Sequence, residues 1–547
     1  MNHLQNVDVL VILLYFAAVI LVAWWAFRRN DNESESYFLA GRDLGWFAVG
    51  ASLFASNIGS EHLVGLSGTG AASGLAVGHF EWLAALILLL LGWLFVPFYL
   101  RSGVFTMPEF LGRRYNPACR WYFTAISVIG YVLTKISVSL YAGGIIIKEV
   151  AGLDMWISAG VIVVFTGIYT VLGGLRAVVY TDMLQTVVLL LGSALLVFTG
   201  LGAVGGWSEL VHRAPDGFFS MWKAASHPQF PWTGIVFGAP ILGIWYWCTD
   251  QCIVQRTLSA KNLGHARGGT ILAGYLKILP VFLFVLPGII ARVLFADMNA
   301  SNSDQALPRI VLHLLSPGMR GLFLAALLAA LIGSLSAVFN SCSTLITWDV
   351  FRKLKPDASE ATLVSVGRWT TVLLAVLGLL WIPFMKYISS QLYVYLQSVQ
   401  GYIAPPIAAC FLLGLFISRL NGTGAISALG IGFILGFARL GLELLNGPNK
   451  TGLPAGTFWE WIAEINFLHF AVILFVICSM ILVGVSFLTP APTAESLAGL
   501  TWEHRSKGVS TQGDLTMAQE SRLSHRLNQV LSLLLVGVMF ALWFWLG

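Results

Sequence analysis

Ser52, Ser56, Asn57, Ser60, Glu61 and His62 fall in one short run, Ala51–Gly70 (ASLFASNIGSEHLVGLSGTG), with Gly59 among them. The run sits in a stretch long enough to cross a bilayer. Each unpaired polar group in hydrocarbon costs several kcal/mol, so a lipid-facing helix gains nothing from them. A helix that breaks at mid-membrane does gain. Its freed carbonyls and polar side chains can coordinate an ion and a polar solute together.

Other ionisable residues stand at membrane depth, where insertion costs about 2.5–3.5 kcal/mol each and a functional role is the default reading. Glu81 follows His79 and Phe80 and precedes Trp82. Lys277 lies in GYLKILP, Asp182 in VYTDMLQT and Lys135 in TKISVSL. Arg439 and Glu443, spaced i, i+4, read as a mutually satisfied structural pair. Glu81 and Lys277 have two readings, a structural salt bridge or part of a solute site. A polyol needs acceptors and donors held away from water, and carboxylate, ammonium, amide and imidazole groups provide them. Aromatic rings cover the apolar face of a sugar, and Phe80, Trp245, Tyr246 and Trp247 are available. A later run, LAALLAALIGSLSAVFNSCSTLITWD, carries Ser334, Ser336, Asn340, Ser341, Ser343 and Thr344. Its hydroxyls either bond back to their own helix, or Ser334 faces the break as a hard oxygen ligand for a small cation.

These residues must be positioned by a membrane fold. The chain has 547 residues, 57% hydrophobic and only 10% charged, with mean hydropathy +0.80. A soluble domain is about 25% charged, so the composition implies an all-α polytopic membrane protein embedded in the lipid bilayer. The net charge of +5 gives no case for nucleic acid. The six cysteines are scattered and read as small buried hydrophobes. No HExxH, G-x-S-x-G or dinucleotide-binding pattern is present, which argues against an enzyme. The first apolar run, Val9–Phe27, reads as a spanning helix and not as a cleavable signal.

About 14 segments can span. They include Trp46–Gly65, Trp156–Gly173, Met183–Val204 and Thr233–Gln251. Basic residues divide about 20 to 8 between the two sets of loops, which places both termini outside. The polar loop Thr489–Gln529 would be inside and has room for a surface helix. A second interrupted run, GIWYWCTDQCIVQR from Gly243 to Arg256, matches the first in its place within a five-helix unit. The two units have opposite orientation, which predicts an inverted repeat. The whole chain is then one transmembrane domain: 1–45 a leading helix and inside loop, 46–205 and 233–418 the two repeats, and 424–547 peripheral helices.

Four runs carry a family resemblance: VGASLFASNIGSEHLVGLSGTGAASGLAVGHFEW, LLLLGWLFVPFYLRSGVFTMPEFL, IWYWCTDQCIVQRTLSAKN and FNSCSTLITWD. They resemble the sodium/glucose cotransporters of the sodium:solute symporter family, most strongly over 37–417. The resemblance implies a LeuT-like five-plus-five inverted repeat and sodium-coupled uptake of a monosaccharide by alternating access. Carried over, the sugar contacts would be Asn57, His62, Glu81, Tyr246, Trp247, Lys277 and Gln397, with Phe80 and Trp245 as pocket walls and Tyr246 as inner gate. The coupling sodium would take the carbonyls of Ala55, Ile58 and Ala330 and hydroxyls from the Ser334 helix. The family usually supplies two adjacent hydroxyls there, whereas this chain has Gly333 and Ser334. A second sodium site would retain only Asp182 and Ser336, since Gly333 and Ala337 lack hydroxyls. The resemblance therefore implies one sodium per sugar. Short outside loops without cysteines imply a bacterial inner-membrane protein. The alternatives are another neutral polyol or organic solute on the same fold, or a sugar sensor that does not transport.

Overall fold

The computed structural model describes residues 4–27, 42–152, 154–385, 392–447, 451–504 and 521–547. Arg28, Arg29, Lys386, Lys450, Arg505 and Lys507 from the orientation count lie outside the described residues. So do the side chains of Ser60, Glu61 and Arg176 and much of the Thr489–Gln529 loop. Among the described residues there is no strand; only isolated bridges join Leu44 to Ala260 and Lys223 to Pro231.

By length and composition, 10 described helical stretches can cross a membrane. The remaining expected spans take different forms. Val9–Phe27 lies in the helix Asn6–Phe27. Trp46–Gly65 is broken into Trp46–Asn57 and Ser60–Ser73. Thr233–Gln251 is divided among Trp232–Phe237, Ala239–Gly243, a π-helical segment Ile244–Thr249 and Gln251–Leu258. Trp156–Gly173 and Met183–Val204 form one helix, Met155–Val204. The turn expected near Arg176 is helical because no proline stands in that stretch and Gly173–Gly174 continue the helix.

Both breaks have local causes. At the first, Ile58 (φ −85°, ψ 95°) and Gly59 (φ −103°, ψ −176°) are extended. Glycine is a weak helix former, and the extended Ile58 before it carries the chain out of the helix. At the second, Asp250 (φ −68°, ψ 129°) leaves the helix directly after the π-segment. The span that carries Lys277 is irregular too. Leu263–Leu276 ends at Lys277, and Pro280, which lacks the N–H that would reach back four residues, follows.

The helices close around these irregular segments. Leu263–Leu276 packs on Trp46–Asn57, and Leu286–Leu294 packs on Ser60–Ser73, so one irregular span follows both halves of the first broken helix. Contact is close: a Cβ on Gly288 would overlap the Ser67 carbonyl, and only small residues let helices in lipid approach so far. Met155–Val204 lies against Met319–Leu345 and Trp46–Asn57. Leu392–Phe416 packs with Gly422–Asn446 and Phe467–Leu488 at the side. Arg439 pairs with Glu443 at 3.1 Å and donates to the Ile465 carbonyl. All six cysteines are free and buried. Leu14, Leu21, Phe198, Trp369, Leu533 and Phe544 are exposed, an outward apolar surface that suits lipid.

Candidate functional site

Between the two breaks lies a polar cavity lined by residues of both. Of the residues singled out in the sequence, Asn57, His62, Phe80, Glu81, Tyr246, Trp247 and Gln397 line it. Lys277 stands immediately behind them and Trp245 beside Tyr246, with ring centroids 6.2 Å apart. Lys135, Tyr393 and Gln400 also line the cavity. The sequence reading had singled out Lys135 for its depth without assigning it to a site. It had missed Tyr393 and Gln400, which look unremarkable in the apolar run Leu392–Phe416.

One wall is a continuous polar chain. Lys277 Nζ donates to Glu81 Oε2 at 2.5 Å and to Asn57 Oδ1. Asn57 Nδ2 donates to the Tyr246 hydroxyl at 2.9 Å and lies 3.4 Å from His62 Nε2. His62 Nε2 is in turn 3.9 Å from Glu81 Oε1. Each member arrives from a different local structure. Asn57 is the last residue before the first break, and Glu81 is in the first turn of His79–Leu90, where a carboxylate complements the helix dipole. Tyr246 lies within the π-segment, a distortion that is concentrated at functional sites. Asn57, His62, Glu81 and Lys277 are nearly fully buried, so the donors and acceptors they do not spend on each other are held ready for a solute.

Aromatic rings form the other walls. Phe80 meets Tyr393 at 5.9 Å, Phe230 at 6.2 Å and Phe467 at 6.5 Å between centroids. Trp247 stacks edge-on against Tyr246 at 5.1 Å and lies 5.1 Å from Lys277 Nζ. Under Tyr246, Lys135 Nζ sits 4.4 Å from the ring centre and donates to Asp250 Oδ1 at 3.2 Å. Asp250 is the non-helical residue of the second break, so the same residue ends the π-segment and anchors the cation below the ring.

A second polar cluster lies away from this cavity, between Trp46–Asn57, Met155–Val204 and Met319–Leu345. Asp182 Oδ2 accepts from Ser52 Oγ at 2.7 Å and from Ser56 Oγ at 3.4 Å. The helix ends at Asn57, so the carbonyls of its last turn, that of Ala55 included, lose their intrahelical N–H partner. Ile58 and Ala330 are buried. Ser334 donates to the Leu331 carbonyl and Ser336 to the Gly333 carbonyl, which leaves their oxygen lone pairs to accept. Hard neutral oxygens with one carboxylate are the donor set that suits a small alkali cation. No group of three or more His, Cys, Asp or Glu that could bind a transition metal occurs among the described residues.

Two helices broken at mid-membrane, with a polar cavity between them, define a secondary transporter, and the fold is the LeuT-like five-plus-five inverted repeat. A solved structure titled as the substrate-bound outward-open state of a Na+-coupled sialic acid symporter aligns with TM-score 0.76, at 21% identity, over 89% of this chain and 99% of its own. Residues 37–432 match the sodium:solute symporter family. The sodium/glucose cotransporter 1 of Ovis aries is 40% identical over 538 residues, 91% of this chain and 81% of that protein. The sodium/glucose cotransporter 4 of Mus musculus is 41% identical, over 93% and 79%. The sodium/myo-inositol cotransporter of Canis lupus familiaris is 39% identical, over 92% and 76%. The chain belongs to the sodium:solute symporter family.

Proposed function

We propose that this protein carries a monosaccharide of the glucose type into the cell, coupled to sodium, by alternating access. The observation behind this reading is the polar chain Lys277–Glu81–Asn57–Tyr246 facing aromatic walls. A sugar has hydroxyls for the first and C–H faces for the second. A carboxylate solute would be repelled by Glu81, so a neutral solute fits better.

Asn57, His62, Glu81, Lys277 and Gln397 bind the hydroxyls, and Phe80, Trp245 and Trp247 enclose the ring. Tyr246 closes the path below, held by Asn57 on one side and Lys135 on the other. Asn57 lies two residues beyond Ala55, whose carbonyl serves the sodium. One short break thus touches both cargoes, and occupation of one half orders the other. The repeats are 46–205 and 233–418, both termini are outside, and the membrane is a bacterial inner membrane. One sodium moves per sugar. A tenfold gradient supplies about 1.4 kcal/mol and 100 mV about 2.3 kcal/mol, together enough for roughly 500-fold accumulation.

The 39% identity to a sodium/myo-inositol cotransporter supports a second reading, a neutral cyclic polyol at the same site. Uptake of labelled glucose, galactose and inositol into proteoliposomes, with and without a sodium gradient, distinguishes them. Sodium-dependent accumulation of a hexose that is lost in Glu81→Ala is expected. Uptake indifferent to sodium, or unchanged in the variant, would refute the reading.

A further inference from the structure

Gln185 is 2% exposed, and its amide oxygen accepts no hydrogen bond. The same is true of Asp182 Oδ1, one helical turn away on a fully buried side chain. Both face the same point on Met319–Leu345. That point is Gly333, a position without a side chain on a helix otherwise rich in hydroxyls. A Cβ built on Gly333 would collide with Gln185 Oε1 and would stand 3.4 Å from Asp182 Oδ1. The carboxamide of residue 185 therefore occupies the space that a side chain at 333 would take.

Buried oxygen acceptors without donors are rare, and each calls for an explanation. Two of them converging on a gap in a hydroxyl-bearing helix have a direct one, a cation. Ser336 Oγ and the Gly333 carbonyl lie on the same stretch of helix. The Tyr15 hydroxyl stands beside the Gln185 amide and can engage Nε2, which leaves Oε1 turned inward. Ser52 and Ser56 already hold the other carboxylate oxygen, Asp182 Oδ2. Arg256, fully buried, acts on Asp182 electrostatically. Its guanidinium offsets part of the carboxylate's field, which favours a monovalent over a divalent ion.

We propose that Gln185 is a ligand of the coupling sodium, its amide oxygen replacing the hydroxyl absent at Gly333, and that Asp182 Oδ1, assigned above to the remnant of a second site, turns to the same ion. This rests on the sodium-coupled reading above and adds a residue to which that reading gave no role. It also makes positions 185 and 333 reciprocal, because one side chain fills the space and supplies the ligand for both.

The test is sodium binding to the purified full-length protein without sugar, read by sodium-dependent thermal stabilisation and by radiolabelled sodium, with potassium as control. Gln185→Ala is expected to raise the sodium concentration for half-maximal effect by about tenfold or more. Gly333→Ser alone is expected to weaken binding through the collision with the amide. Gln185→Ala combined with Gly333→Ser is expected to bind more tightly than either single variant. Gln185→Asn, which keeps an amide but withdraws it, is expected to behave as Gln185→Ala and serves if the alanine variant fails to fold. Wild-type sodium dependence in the Gln185 variants, or a double variant no better than the singles, would overturn the proposal alone. A wild-type protein that binds no sodium would overturn the sodium-coupled reading with it.

Discussion

Lys277 Nζ lies 2.5 Å from Glu81 Oε2, and the two side chains are 1% and 3% exposed. The pair joins the span of Lys277 to the helix His79–Leu90, and Asn57 of the first broken helix accepts from the same ammonium. A buried ion pair of this kind is weak evidence for stability, because desolvation of both charges offsets their attraction. Its value lies in holding charge where a solute can use it.

That balance separates stability from transport. Removing one partner leaves a buried charge unpaired and costs about 3–5 kcal/mol, so Glu81→Ala and Lys277→Ala should both lower the melting temperature in detergent and abolish sugar uptake. Replacing both, as Glu81→Leu with Lys277→Met, should recover most of the stability and none of the uptake. Recovery of uptake by the double variant would make the pair structural only.

Tyr246→Phe isolates a single hydroxyl. It removes the acceptor of the 2.9 Å bond from Asn57 Nδ2 and keeps the ring over Lys135. The loss of one hydrogen bond is about 1 kcal/mol, so the fold should be little affected. Sugar affinity should fall, and preloaded vesicles should leak sugar faster as the path below the cavity loosens. An unchanged leak measured by sugar efflux would remove Tyr246 from the gate.

The broken helices were legible in the sequence because both carry polar groups that lipid would not tolerate. Glu81, Lys277 and His62 stood out for the same reason. The polar chain through Asn57 was not legible, since Asn57 and Lys277 are separated by 220 residues and only packing brings them together. Gln185 gave no signal at all. A lone glutamine in an apolar span reads as a tolerated polar residue until the helix opposite is seen to lack a side chain at its height. The continuity of Met155–Val204 was missed because the stretch between Gly173 and Met183, with Arg176 in it, was read as a loop between two spans, whereas no proline there stops a helix.

Asp304 provides a pH dependence outside the spanning segments. It lies in the short turn Ser303–Gln305, packed on Ser60–Ser73, and Oδ2 accepts from the Leu392 N–H at 3.1 Å, at the start of the helix Leu392–Phe416. Burial pushes its carboxyl up to about 7, and the bond from Leu392 only partly opposes this. The folded state thus binds the proton more tightly than the unfolded chain. Its stabilising contribution is fully present below the usual carboxylate range near pH 4 and is lost as pH rises through about 7. Melting temperature should fall between pH 5 and 8 in the wild type, and that slope should flatten in Asp304→Asn. Parallel slopes in the two proteins would exclude Asp304 as the titrating group.

Lys135 and Asp250 form another buried pair that joins the two proposed repeats, at 3.2 Å. Lys135 lies in a π-helical segment, Val132–Ile136, and Asp250 at the second break. Tyr131 stands 5.0 Å below the ammonium, and its hydroxyl accepts from the Cys252 N–H, which fixes the first turn beyond the break. If the repeats move against each other during transport, this contact must yield and reform under Tyr246. Asp250→Asn keeps a hydrogen-bond acceptor for Lys135 and removes the charge that holds it. The maximal rate of uptake should fall by about tenfold, equivalent to about 1.4 kcal/mol, while sodium binding without sugar stays near the wild-type value. Equal losses in sodium binding and in rate would place the defect in folding of the broken helix and not in its movement.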